Sequence, residues 1–171
     1  MSLLVTTMPV HTLMLILILV STATAQRGLT CREEVPTELI RDLWSRTTQL
    51  IDKLPTEDPP FWRLLPKFCT KCPKDAIGWL ELRDLINVYQ RSVFSQDAVQ
   101  KLLPPHYNDL LYRLQDTLMR CVSSSEPSKW RKKIKKMEKK IKKKAEGPMK
   151  AVAEFTFILR WIDELTQQRA L

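Results

Sequence analysis

Glycine and histidine are nearly missing from this chain: its 171 residues hold three glycines (Gly28, Gly78, Gly147) and two histidines (His11, His106). A phosphate-cradling loop needs glycines so that the backbone can turn sharply and approach the anion, and no such loop occurs. There is no Gly-x-Ser-x-Gly turn to hold a nucleophile either. A single histidine beyond the amino-terminal region removes most general-base and metal arrangements. Alternating Val/Ile/Thr runs bounded by turn residues are also lacking, which argues against strands. The carboxylates are scattered, none paired among apolar neighbours, and each reads as part of a solvated helix face. No catalytic residue, metal or cofactor is therefore assigned, and the chain is expected to be a binding protein and not an enzyme.

Long apolar runs are scarce as well. The one candidate, "LMLILILV" at residues 13–20, is short of the roughly 20 residues that span a bilayer. "STATAQ" follows it, with Ala23 and Ala25 in the small-x-small pattern of a signal peptidase site. Residues 1–25 are thus expected to be a secretion signal, and residues 26–171 a secreted, extracellular, soluble domain beginning at Gln26.

All four cysteines, Cys31, Cys69, Cys72 and Cys121, fall in that domain. In an oxidising compartment an even count predicts disulfides, and four cysteines leave three pairings open. "CTKC" has a redox or zinc spacing, but zinc lacks a second ligand pair. A thioredoxin-type site would need a strand-to-helix context, which is absent. Structural disulfides are the expectation.

What the chain does have is helical periodicity. In "TELIRDLWSRTTQLIDKL", Leu39, Leu43, Leu50 and Leu54 share a face flanked by Ile40, Trp44 and Ile51, with Thr37 suited to the N-cap. "TEDPP" breaks the chain, and a short apolar piece, "FWRLLPKFC", follows. Trp79, Leu82, Ile86, Tyr89 and Val93 mark a buried stripe in "DAIGWLELRDLINVYQRSVF". Tyr107, Leu110, Leu111, Leu114, Leu118 and Cys121 repeat it in "HYNDLLYRLQDTLMRC". The last segment, "MKAVAEFTFILRWIDELTQQ", is apolar around much of its circumference through Val152, Phe155, Phe157, Ile158, Leu159, Trp161, Ile162 and Leu165, as a central buried helix is. Gly147 is read as the C-cap of the helix before it, and Pro148 as the first position of the last helix. Five or six helices with short connections predict one all-α bundle.

Charge is concentrated in one place. Of the sixteen residues 129–144, eleven are Lys or Arg, and only Glu138 opposes them. The remainder holds 17 basic and 18 acidic residues, so the net charge of +9 is a local device. The run keeps a register: Trp130, Ile134, Met137 and Ile141 are spaced four, three and four, an apolar seam on a helix whose other faces are cationic. Lys132, Lys133, Lys135, Lys136, Lys139, Lys140 and Lys143 are the candidate residues for gripping a polyanion such as DNA, heparan sulfate or an anionic bacterial membrane. That would make the chain a cationic host-defence protein.

The last helix carries a further signal. "KAVAEFTFILRWI" resembles the final-helix signature of the interleukin-10 family, a Lys-Ala-aliphatic-small-Glu-aromatic/Leu-Asp pattern opening a mostly apolar helix. Lys150, Ala151, Val152, Ala153, Glu154 and Phe155 match, while Thr156 stands in place of the Asp and removes that carboxylate. "LINVYQRSVF" is similar to the family's third helix, "RCVSSS" to the end of its fourth, and "RDL" at residues 41–43 to its first. The likeness covers residues 26–171.

The resemblance implies a six-helix class II cytokine bundle of the interleukin-10 type. It implies a protein that bridges two class II cytokine receptor chains and triggers JAK–STAT signalling. Within the family the likeness is strongest to a basic member with a cationic fifth helix, for which the pair is of the interleukin-20 receptor alpha and interleukin-10 receptor beta type. Receptor surfaces in the family use the first helix, the loop after it and the last helix, which points to Arg41, Lys53, Lys150 and Glu154. The family also ties the segment before its first helix to the end of its fourth, which implies Cys31–Cys121 and leaves Cys69 to join Cys72 or to pair between molecules. A homodimer formed by exchanging the last two helices is implied too, and "VSSSEPS" is a short hinge of the kind that favours exchange.

Overall fold

The periodic segments fold as helices in the computed structural model, which describes residues 27–55, 63–68, 76–122 and 128–167. In chain order they are α1 (Arg27–Glu34), α2 (Thr37–Ile51), α3 (Trp79–Tyr89) running into a π-helical turn (Gln90–Phe94), α4 (Asp97–Gln100), α5 (Tyr107–Cys121), α6 (Arg131–Lys143) and α7 (Gly147–Gln167). The all-α class therefore holds, with seven α-helices and no β-strand among the described residues.

α7 is the central helix because it is apolar on most sides. Ala151, Val152, Phe155, Ile158, Leu159 and Ile162 are fully buried, and α7 packs on α1, α2, α3, the π turn and α6. Phe157 is the exception: it stands 42 % exposed with the Arg63 guanidinium 5.4 Å from its ring centre. Around Phe155 the aromatic rings of Tyr89 and Phe94 close at 5.1 and 5.0 Å, and Tyr107 meets Phe94 at 5.2 Å. The stripes of α3 and α5 are buried as their spacing predicts, with Trp79 only partly covered.

Several boundaries differ from the sequence expectations. Pro36, not Thr37, occupies the cap position of α2, and Thr37 is its first helical residue. α3 begins at Trp79 and not near Asp75, because the Glu81 carboxylate turns back to accept the Gly78 N–H at 3.0 Å. α1 was not expected at all; it is held by the Cys31–Cys121 disulfide, which joins it to the last residue of α5, and by Arg32 Nε donating to the Thr166 carbonyl at 3.1 Å. With 90 residues between its ends, that cross-link stabilises by about 4–5 kcal/mol in the chain-entropy description. Cys69, Cys72 and the whole of residues 1–26 lie outside the described residues.

Gly147 is needed for a reason other than the one its position suggests. Its φ is not positive, so it is no left-handed C-cap; it is the first residue of α7, and Lys144 takes the C-cap of α6. A Cβ at Gly147 would lie 2.1 Å from the carbonyl oxygen of Ile141. Only a hydrogen fits where α7 turns back across the end of α6. Helix propensity alone would favour alanine over glycine by about 1 kcal/mol. Overpacking against backbone costs about 1–3 kcal/mol or more. Gly147→Ala should therefore lower the urea midpoint. Gly78→Ala, whose Cβ would meet only the flexible Glu81 carboxylate at 3.1 Å, should cost less. Equal midpoints for the two variants would contradict the close-approach account.

Candidate functional site

α6 has little reason to be helical by itself. Its first turn carries no acid, and Arg131, Lys132 and Lys133 oppose the positive end of the helix dipole. Like charges at three- and four-residue spacing repel along its length. The tertiary structure supplies what is missing: Trp130, Ile134, Met137 and Ile141 are all buried, so the expected seam is the packed face. Ser128 anchors the start, its hydroxyl donating to Glu81 at 2.8 Å and accepting the Trp130 N–H at 3.0 Å. The Lys133 ammonium sits 3.7 Å above the Trp130 ring centre.

The single acid of the run faces the bundle. Glu138 accepts two parallel bonds from Arg91, Nε at 2.9 Å and Nη2 at 2.8 Å, and a third from the Ser92 hydroxyl at 2.9 Å. Lys142 adds an ion pair at 2.9 Å. The Arg91 hydrogen bonds, first among these causes, hold the Glu138 carboxyl down at about 2 despite partial burial. Both Arg91 and Ser92 sit on the π turn, whose wider winding presents them toward α6. Because Glu138 is engaged from within, the outer face is left without an acid. Lys132, Lys133, Lys135, Lys136, Lys139, Lys140 and Lys143 are all exposed, and none forms an ion pair among the described residues. They span about 16 Å of helix axis; the Lys133 ammonium is seated over Trp130, and the other six are exposed to solvent and open to phosphate or sulfate.

The four residues expected to face a receptor differ in exposure and in the element that carries them. Arg41 is exposed in the second turn of α2, and Lys53 is exposed in the turn just past its end. Lys150 is half-buried on α7. Glu154 is a correction: it is only 7 % exposed, and its carboxylate accepts the Leu64 N–H at 3.0 Å and the Leu65 N–H at 2.8 Å. It pins the segment 63–68 to α7 and has no free face to offer a partner. Its charge, after burial itself, helps to push the fully buried Tyr89 hydroxyl well above its ordinary pKa. Glu81, 6 % exposed, is likewise no solvated carboxylate.

Arg41 does line a surface groove. Thr37, Ile40 and Trp44 join it from the start of α2, and Arg160 and Asp163 from the end of α7, so the two helices run antiparallel. Trp44 is 40 % exposed there, not buried beside the leucine face as its spacing suggested. Asp163 accepts from Gln167 Nε2 at 2.7 Å, and Arg160 pairs with Glu164 at 3.4 Å. Trp44, Arg160 and Asp163 were missed because nothing local in the sequence separates them from other helix-surface residues. Among the described residues no cluster of His, Cys, Asp and Glu could hold a metal, and no helix is long and apolar enough to cross a membrane.

No family model matches the chain, and neither a curated protein nor a solved structure matches it.

The Glu138 pair makes a measurable contribution. Hydrogen bonds to a charged group contribute roughly 1.5–3 kcal/mol, so Glu138→Gln should lower stability by about that amount in urea titration. The sign with pH follows from the depressed value: the ionised carboxylate's contribution is complete above the ordinary 4.5 and is lost as pH falls toward about 2. The gap between the native and variant chains should be widest near neutrality and close across that acid window. A gap that stays constant down to the bottom of that window would show that the ionised pair is not its source.

Proposed function

We propose that the chain is a secreted helical cytokine of the interleukin-10 type, resembling interleukin-26 in particular, that bridges two class II receptor chains and activates JAK–STAT signalling in immune and epithelial cells. The observation that carries this reading is the Cys31–Cys121 disulfide within an all-α bundle, the pairing that the resemblance implies. In this reading α2, α3, α5, α6 and α7 are the family's first, third, fourth, fifth and last helices. The cationic α6 favours it over the interleukin-19, -20 and -24 group, the nearest alternative within the family. The receptor pair would be of the interleukin-20 receptor alpha and interleukin-10 receptor beta type, engaged through the groove between α2 and α7. Exchange of α6 and α7 with a second copy would reuse the contacts these helices make on their own chain, and light scattering of the refolded chain separates the two masses.

A second activity is favoured by a separate observation, the seven exposed lysines of α6 that no acid neutralises. In residues 129–144 lysine outnumbers arginine ten to one. That suits point-charge attraction to phosphate or sulfate better than bidentate reading of bases. Binding to extracellular DNA, heparan sulfate or anionic bacterial membrane through this face would be indifferent to sequence. It is compatible with receptor signalling.

Two experiments test these readings. The secreted chain should raise STAT phosphorylation in cells carrying both receptor chains and not in cells lacking either. Trp44→Ala with Arg41→Glu should reduce that response by about tenfold or more, as loss of an aromatic and arginine anchor does. A full response in cells without either receptor chain would end the cytokine reading. For the second activity, about five phosphate contacts give a slope of log K against log salt near −4.5, a loss of several hundred-fold over a fourfold salt rise. Replacing Lys135, Lys136, Lys139, Lys140 and Lys143 with Gln should flatten that slope while circular dichroism stays unchanged. Undiminished salt-sensitive binding by this variant would place the grip elsewhere.

A further inference from the structure

We propose that the outer face of α5 is a docking surface for a second copy of this chain, the two helices lying antiparallel across a two-fold axis while each copy stays folded on its own helices. Such a pair is distinct from exchange of α6 and α7, and it depends on neither the receptor reading nor the polyanion reading.

Tyr112 is 63 % exposed and Met119 52 % exposed, the highest values for large apolar side chains among the described residues. They stand seven residues apart on α5, about 10.5 Å along its axis and within about 20° of one line. Neither belongs to the core or to the groove between α2 and α7. Met119 is also held from the side. The Asn87 amide of α3 donates to its sulfur at 3.6 Å, and Gln115 Nε2 donates to the Asn87 side-chain carbonyl at 2.9 Å. An exposed side chain already fixed in this way loses less freedom when a partner packs on it.

Charge and spacing single out a copy of the chain as that partner. The net charge is +9, yet Asp109, Arg113, Asp116 and Arg120, the exposed charges of α5, cancel. Two cationic molecules approach best through a face that carries none of the excess. α5 packs on α1, α2 and α3, whereas α6 packs on α3, the π turn and α7, so the contact leaves the lysine face out. A two-fold contact must also be self-complementary. In an antiparallel pair centred between residues 115 and 116, Tyr112 of each copy meets Met119 of the other, a sulfur–ring contact made twice. The same centre brings Arg113 within about 3 Å, along the axis, of Asp116 of the second copy, and Asp109 equally near its Arg120. Within its own chain Arg113 forms no ion pair among the described residues. α5 has 15 residues and is about 22 Å long, so one helix pair covers less than the roughly 1,200–2,000 Å² of a stable dimer. The pair is therefore a weak one that forms and separates reversibly.

Sedimentation velocity of the purified chain, with Cys31–Cys121 intact, over about 1–300 μM tests this. The expected result is a shift from the mass of one chain to that of two, reversed on dilution. Tyr112→Ser with Met119→Ser should weaken the association about tenfold or more and leave the urea midpoint unchanged, since both side chains lie outside the core. Arg113→Asp and Asp116→Arg, as separate variants, should each associate less than the native chain. Mixing those two variants should restore the mass of two chains, because opposite charges then face each other across the contact. A residue that merely supports its own helix gives no such rescue. A native chain with the mass of one chain at every concentration overturns the proposal. So does a two-chain mass that the serine pair leaves unchanged, which would place the contact elsewhere, exchange of α6 and α7 included. A mixture no heavier than its separate components overturns the antiparallel pairing. A monomeric native chain whose STAT response falls with the serine pair would assign the face to a receptor chain instead.

Discussion

The cations of α6 repel one another, and the apolar seam beneath them is what makes a cationic face available as a fixed surface. About ten like-charge pairs occur at three- and four-residue spacing within α6, each unfavourable by roughly 0.2–0.5 kcal/mol. Their sum is about 2–5 kcal/mol. Against this, burying four side chains of the size of Trp130, Ile134, Met137 and Ile141 yields about 1.5–3 kcal/mol each. The seam wins even when the burial figure is discounted for a compact unfolded chain. The same segment would therefore be a solvated coil outside the bundle and is an ordered array of ammonium groups within it. Order matters for binding, because a preformed array loses less freedom when a polyanion arrives.

Acids contribute to the same outcome by where they are spent. Glu81, Glu138 and Glu154 each accept hydrogen bonds inside the molecule: Glu81 from Gly78 and Ser128, Glu138 from Arg91 and Ser92, Glu154 from Leu64 and Leu65. Carboxylate bonds of this kind are about twice as strong as neutral ones. They fasten elements that lack their own periodic packing: the start of α3, the π turn and the segment 63–68. The surface left behind is more cationic than a net charge of +9 conveys.

The parts legible in the sequence were those governed by spacing. The stripes of α3, α5 and α6 read directly, since residues three and four apart share a helix face whatever lies opposite. Glu154 did not read, because the amides it satisfies stand about 90 residues earlier, in a piece without periodicity. Gly147 was assigned by the usual punctuation of helices, while its actual constraint is the Ile141 carbonyl of the preceding helix. The π turn leaves no compositional mark, so the meeting of Arg91 with Glu138, 47 residues apart, could not be anticipated. Of the cysteine pairings, the residues alone left three open, and the choice of Cys31–Cys121 came from the resemblance. Trp44 shows the limit of periodicity: lying one residue beyond Leu43 it sits at the stripe's edge, where only the neighbouring helix decides exposure.

The two proposed binding surfaces are linked by α7 and separated by it. α7 packs on α2 along one side and on α6 along another, while α6 rests on α3, the π turn and α7. The groove containing Arg41 and Trp44 belongs to the α2–α7 seam; the lysine face belongs to the outer side of α6. A polyanion held by the exposed ammonium groups would need no rearrangement of the buried seam beneath them, so its contacts would end at the outer side of α6. Coupling between sites requires a shared element with two arrangements. α7 has its residues Val152, Phe155, Ile158, Leu159 and Ile162 fully buried, and a close-packed interior resists the small shifts that would carry such a signal. Binding at one proposed surface would thus leave the other geometrically intact, and what a polyanion would add to a receptor encounter is local concentration, not a change of shape.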